Sequence, residues 1–250
     1  MPKPRSAADA PRRLGIIGDV HAEDAALAQA IEHLVTAGVD ALLCTGDIAD
    51  GPGDIERCCA LLQEHGVLTV AGNHERWLLN DRVRHIPHAH DRRTLSDSCL
   101  EYLAALPKTL EINTVAGPLM LCHGIGEYDM VKVWPGSERL GPQRSEHMDA
   151  LLEEGAYRWL INGHMHYRTL IHFQSLTFMN AGTLSRRHRP GITLLDFEAD
   201  TVSAFEFAES GMHHQLTRPL TPYPEEPVWR NTEAFTGASP PIVLYQDQGT

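Results

Sequence analysis

Short apolar runs, each closed by a small residue and then by Asp, Asn or His, alternate along this chain with stretches of helical period. Residues 14–17 read as a buried strand that delivers Asp19 and His21 at its end. Residues 23–37 carry Leu27, Ile31, Leu34 and Val35 on one face, predicting a helix that Gly38 stops. A strand over 39–44, a helix over 54–65 and a strand over 67–70 follow. Such βαβ alternation predicts a parallel sheet, and ligands of such sheets gather outside the carboxyl ends of the strands, where Asp19, Asp47 and Asn73 fall. Beyond them, 75–84 and 96–106 read as helices, the second ended by Pro107. The pattern then changes. Residues 109–113 and 118–121 form a hairpin around Ala116-Gly117; 145–154 is helical and 157–161 is a strand. Two further hairpin-like pairs are 168–173 with 176–179, and 192–197 with 202–207. The expected fold is α/β: a second, largely antiparallel sheet facing the first in a four-layer αββα sandwich with mixed sheets.

The length of 250 residues suffices for one full core over 14–218, with 1–13 a mobile basic arm and 219–250 a Pro-rich extended tail. Six prolines between Pro219 and Pro241 preclude a helix there, and Trp229, Phe235 and 242–245 are expected to anchor the tail to the body. A net charge of −12 disfavours non-specific nucleic-acid binding but not a phosphorylated substrate, because bound cations reverse the sign locally. The five cysteines lack zinc spacing and are odd in number, so buried thiols are expected. With no signal-peptide core and no membrane-spanning run, the reading is a cytoplasmic protein without membrane partners.

Candidate chemistry changes the picture. The strand–small residue–ligand pattern of Gly18-Asp19-Val20-His21 recurs in Thr45-Gly46-Asp47, Gly72-Asn73-His74, Cys122-His123-Gly124 and Gly163-His164-Met165-His166. Carboxylate, amide and imidazole donors in this mixture suit Mn, Fe, Zn or Ni better than Ca or an all-oxygen Mg site. They are also too many for one ion; two ions sharing a carboxylate would use them all.

In this order the motifs resemble the calcineurin-like metallophosphoesterase superfamily, and within it the small bacterial and archaeal phosphodiesterases, over roughly 14–207. Residues 100–107 and Met179-Asn180-Ala181-Gly182-Thr183 look like that family's pattern as well. The resemblance implies two divalent metal ions, with Mn the expected one, the first held by Asp19, His21 and His166 and the second by Asn73, His123 and His164. Asp47 would bridge them. It implies that His74 donates to the phosphate or protonates the leaving group and that Asp50 orients His74.

There are departures. Asp50 is followed by Gly51-Pro52, where the protein phosphatase branch has an Arg, although Glu75 and Arg76 after His74 are closer to that branch. The purple acid phosphatases place a Tyr at Asp50. The interval from His123 to His164 is long, and its segment 126–144, with Tyr128, Met130 and Trp134, is expected to cover the site. Arg186, Arg187 and Arg76 are candidate substrate contacts. His85, His88 and His90 read as a polar surface loop rather than an accessory metal site. The expected activity is hydrolysis of phosphodiester bonds in small nucleotide-type substrates. A phosphomonoesterase acting on phosphoprotein or dinucleoside polyphosphate, and an inactive metal-binding scaffold, are the alternatives; neither the substrate nor the oligomeric state is readable.

Overall fold

A computed structural model describes residues 10–208 and 211–246. Its first half runs β1 (Arg13–Ile17), α1 (Asp24–Thr36), β2 (Ala41–Cys44), α2 (Ile55–Glu64), β3 (Leu68–Thr69), α3 (Asn73–Leu79) and α4 (Asp97–Ala105). Then come β4 (Thr109–Thr114), β5 (Gly117–Cys122), α5 (Glu146–Glu154), β6 (Trp159–Asn162), β7 (Arg168–Phe173), β8 (Thr177–Ala181), β9 (Gly191–Asp196), β10 (Thr201–Ala208), β11 (Gly211–Pro219), β12 (Val228–Trp229) and β13 (Ile242–Val243).

Two mixed sheets result. The first has the order β11-β10-β9-β1-β2-β3, parallel from β1 to β3 and antiparallel elsewhere. The second runs β12-β7-β8-β6-β5-β4 with β13 also on β7, and its middle, β5, β6 and β8, is parallel. The hairpin β9–β10 thus joins the first sheet beside β1 rather than the second, and the second sheet is less antiparallel than its hairpins suggest. Leu14, Ile16, Leu43, Leu121, Ile161, Met179 and Leu195 fill the space between the sheets. Helices α1, α2 and α4 cover the outer face of the first sheet through Leu27, Ile31, Cys58, Leu62 and Leu103. Met148 and Leu152 of α5, with Phe235, cover the second. Each layer interface buries apolar side chains and leaves polar faces outside, the solution that amphipathic elements require.

Three local differences matter. Helix α3 starts at Asn73 and stops at Leu79, short of the expected 84, because Asp81 and Val83 adopt left-handed backbone (φ 51° and 54°) and turn the chain back toward Asp50. Strand β11 has no alternating apolar pattern; it pairs with β10 and none of its residues is fully buried. Arg12 and Arg13, placed in the arm by sequence, are held to the body: both amides donate to the Asp40 carboxylate (2.7 and 2.8 Å), and Arg13 pairs with Asp196. The remainder of that arm, 1–9, and the tail's last four residues lie outside the described residues.

The tail closes the edge of the second sheet. Both β12 and β13 pair with β7, while Phe235 and Leu244 are fully buried. An otherwise open edge strand is thereby paired.

Candidate metal centre

Parallel strands in both sheets point their carboxyl ends the same way, so the turns after β1, β2, β3, β5 and β6 converge. The sheets are stitched together there: Asp19 and Thr183 form a parallel bridge, and the Thr183 hydroxyl and the Leu184 amide both donate to the Asp19 carbonyl at 2.8 Å.

Two carboxylates lie at the bottom of this convergence, each fixed by the protein. Asp19 accepts from the Thr45 hydroxyl (2.9 Å) and the His164 amide (2.8 Å); Asp47 accepts from the His74 amide (2.9 Å). Small residues beside these carboxylates are steric necessities. A Cβ on Gly72 would collide with Asp47 Oδ1, and one on Gly163 with Asp19 Oδ1.

The imidazoles are oriented from behind. His123 Nδ1 meets the Thr45 carbonyl (2.8 Å), turning Nε2 toward Asp47 (3.2 Å) and Asn73 Oδ1 (3.1 Å). His21 Nδ1 meets the Asp50 carbonyl (3.1 Å), turning its Nε2 toward His166 Nε2 (3.1 Å), which in turn lies 3.2 Å from Asp19. Backbone carbonyls that fix one ring nitrogen and free the other are the usual support of metal-binding histidines.

Donor atoms of Asp19, His21 and His166 lie within 4.8 Å of one another, as do those of Asp47, His123 and His164, and of His21, Asp47 and His74. Asp47 and His21 thus join the groups into one centre, and Asn73 adds an amide oxygen to the second.

The donor set fits divalent cations. Among the described residues His164 Nε2 is buried without a hydrogen-bond partner, and the His21 and His166 nitrogens face each other at a distance where at most one can carry a proton. Burial opposes charge on His123, yet Asp47 and Asp19 together push its pKa up to about 10. Burial likewise works against ionised Asp47, but His123, His74 and His21 hold its carboxyl well below the usual range. A compact anionic core facing lone pairs is what a cation would neutralise.

Backbone strain is concentrated here too. His21, Asp47, Asp50, His164 and His166 all have positive φ, between 44° and 64°. Each costs roughly 1–2 kcal/mol, and such residues cluster where geometry is set by function.

At the rim stands His74. Its Nδ1 meets Asp50 Oδ2 at 2.8 Å and its Nε2 lies 3.9 Å from Asp47. Asp50, with a fully buried side chain, also receives both terminal nitrogens of Arg84 (2.7 and 2.8 Å) and the His90 amide (2.9 Å). Burial would raise its pKa; His74, Arg84 and His90 instead lower it to about 2. A Cβ on Gly51 would collide with the His21 carbonyl, so no arginine can follow Asp50 in this backbone; the guanidinium comes from Arg84.

A cleft of about 350 Å³ opens beside this rim, walled by His21, His74, Trp77, Ile86, Pro87, His88, His166 and Arg187. Of the candidate substrate contacts, only Arg187 lines it. Arg76 makes a two-pronged pair with Asp129 (2.6 and 2.9 Å), and Arg186 lies toward Glu23 at 3.5 Å. Segment 126–144 is not part of this wall. Asp129 ties it to Arg76, Lys132 is close enough to act electrostatically on His164, and Val133 and Trp134 are buried.

The profile of the calcineurin-like phosphoesterase superfamily domain matches residues 13–201, about three quarters of the chain. The chain belongs to this superfamily. A metallophosphoesterase from Sphaerobacter thermophilus is similar in structure, with TM-score 0.55 and 20% identity over 82% of this chain and 89% of the other. YfcE, a phosphoesterase from E. coli, shows TM-score 0.51 and 15% identity over 84% and 100%. An uncharacterized protein of Methanocaldococcus jannaschii is 22% identical over 117 residues, 44% of this chain and 48% of the relative, so the match spans about half of that protein's length.

Within this phosphoesterase domain, several supporting residues escape sequence reading. Arg84 and His90 sit in a loop whose polar composition looks like surface. Glu75 is fully buried; its carboxylate accepts from the amides of Ile48, Ala49 and Gly72 (2.7–2.9 Å), binding the turn after β2 to the start of α3. Burial, then Asp47, raises its pKa to about 7. Its position three residues into a helix is the one available signal.

Proposed function

We propose that this superfamily member is a dinuclear-metal-dependent phosphodiesterase acting on small nucleotide-type substrates, with Mn the preferred ion and Fe, Zn or Ni usable. The observation that carries the reading is the position of Asp47, whose donor atoms cluster both with His123 and His164 and with His21 and His74, while His21 clusters in turn with Asp19 and His166. Asp19, His21 and His166 would hold one ion, Asn73, His123 and His164 the other, with Asp47 shared. Bound divalent ions would supply charge neutralisation of the phosphoryl group and an activated water.

The chain's own contribution is orientation and proton delivery. His74 presents Nε2 at the rim, and Asp50 fixes the ring from Nδ1, so the proton is delivered toward the leaving oxygen. Trp77, Ile86 and Pro87 beside His74 give the cleft an organic wall, which suits an esterified leaving group better than bare phosphate and supports a diester substrate.

The test is hydrolysis of bis-p-nitrophenyl phosphate and of p-nitrophenyl phosphate by metal-analysed protein with added Mn. The diester is expected to turn over faster. Preference for the monoester would replace the reading with a phosphatase, and turnover of neither, in protein that binds metal, with a scaffold.

A further inference from the structure

A second cavity, of about 210 Å³, lies next to the cleft and is walled by His166, Tyr167, Arg168, His188, Arg189 and Tyr245. The two cavities share only His166 and His188, whose rings meet edge-on with centroids 4.7 Å apart. His74 belongs to the first cavity alone. The row His74, His21, His166, His188 is contiguous, with centroid distances of 4.8, 5.0 and 4.7 Å, so the second cavity lies at the end of the centre away from His74.

Its walls have the chemistry of a stacking site. The Arg189 guanidinium lies over the Tyr245 ring, 4.5 Å from its centroid, and donates to the Gln246 carbonyl (2.9 Å); no carboxylate pairs with it among the described residues. Tyr167 also lines the cavity, with 42% of its surface exposed and braced by Trp134 at 5.0 Å between ring centroids. Arg168 is neutralised by Glu206 and serves as wall rather than as charge. Planar guanidinium and phenol surfaces beside a phosphoryl site favour a flat π system, and a nucleobase is the flat group that phosphate esters carry. The cavity is smaller than the roughly 300–1,000 Å³ of a whole-ligand site and suits one arm of a larger substrate.

We infer that this cavity receives the nucleobase of the substrate arm that stays on phosphorus, and that the C-terminal tail, through Tyr245, is a specificity element. The inference rests on the phosphoesterase centre proposed above and deepens it: with the leaving group departing beside His74, the arm retained on phosphorus is equatorial to the in-line axis, and the cavity at His166 and His188 is the opening that the His74 side does not use. Tyr245 arrives through the pairing of β13 with β7, so the edge-capping tail also shapes the site.

Calorimetric titration of Mn-loaded protein with AMP and with ribose 5-phosphate, which differ only by the base, tests it. Wild type should bind AMP roughly 5–100-fold more tightly. Tyr245→Ala and Arg189→Ala should each erase most of that ratio with ribose 5-phosphate affinity unchanged, and Tyr245→Phe should keep it. A ratio near one in wild type, a ratio that survives both alanine variants, or equal losses for the two ligands would overturn the inference. Failure to hydrolyse bis-p-nitrophenyl phosphate with the AMP preference intact would instead contradict the phosphodiesterase reading and leave the base site standing.

Discussion

His74 carries the sharpest chemical expectation because its partners are so unequal: Asp50 at 2.8 Å fixes one nitrogen, while Asp47 lies 3.9 Å from the other. A general acid matters most when the leaving oxygen is a poor one. His74→Asn should leave metal content unchanged and lower kcat about 10²–10⁴-fold on a dinucleoside phosphate, with a smaller loss when p-nitrophenolate departs. Steady-state rates on the two substrates check this; equal losses would reassign the residue to charge stabilisation. Sequence reading paired His74 with Asp50 because they sit inside motifs, and the structure brings the two side chains within 2.8 Å. Sequence could not show why Gly51 replaces an arginine, since that depends on the His21 carbonyl folded against it from another turn.

At the scale of elements, the telling segment is the one after α3. Periodicity carries the helix on to 84, but two left-handed residues end it at Leu79 and return Arg84 and His90 to Asp50, a contact between positions 34 and 40 apart that no local pattern encodes. Arg84→Ala should leave both ion sites filled and cost about 10–100-fold in kcat, with the loss again larger for poor leaving groups; Arg84→Lys should recover only part, since a single ammonium cannot make the two-pronged contact. Metal analysis alongside kcat separates this from a damaged centre. Strand β7 offers a test away from the chemistry. His172 is buried opposite Val228 of the tail, its Nε2 has no hydrogen-bond partner among the described residues, and burial lowers its pKa to about 4. A depressed histidine pKa means that the unfolded chain takes up the proton first, so the stability it contributes is present above about pH 6.5 and is lost as pH falls toward 4. Between pH 7 and 5 wild type should lose about 1–2 kcal/mol more than His172→Leu. Urea midpoints at the two pH values read the difference, and parallel losses would contradict it.

For the molecule as a whole, sequence pattern reached the layers and the converging turns that carry Asp19, Asp47 and the histidines, because those are set by short apolar runs and the small residues that let backbone approach a carboxylate. It mis-sorted the later hairpin, since β9 resembles a second-sheet strand until its pairing with β1 is seen, and missed β11, whose residues bury too little to show a period. The tail's prolines announced extended chain but not that β12 and β13 would share one edge, nor that this would carry Tyr245 to the second cavity. Both sheets deliver donors to one centre, and we propose that it holds two ions joined at Asp47. Elemental analysis of protein stripped of metal, reconstituted with Mn and freed of excess ion tests it most directly. Two Mn per chain are predicted for wild type, with Asp47→Asn depleted at both sites and inactive. A single Mn at saturation in wild type, or an Asp47→Asn variant that still holds two, would contradict it.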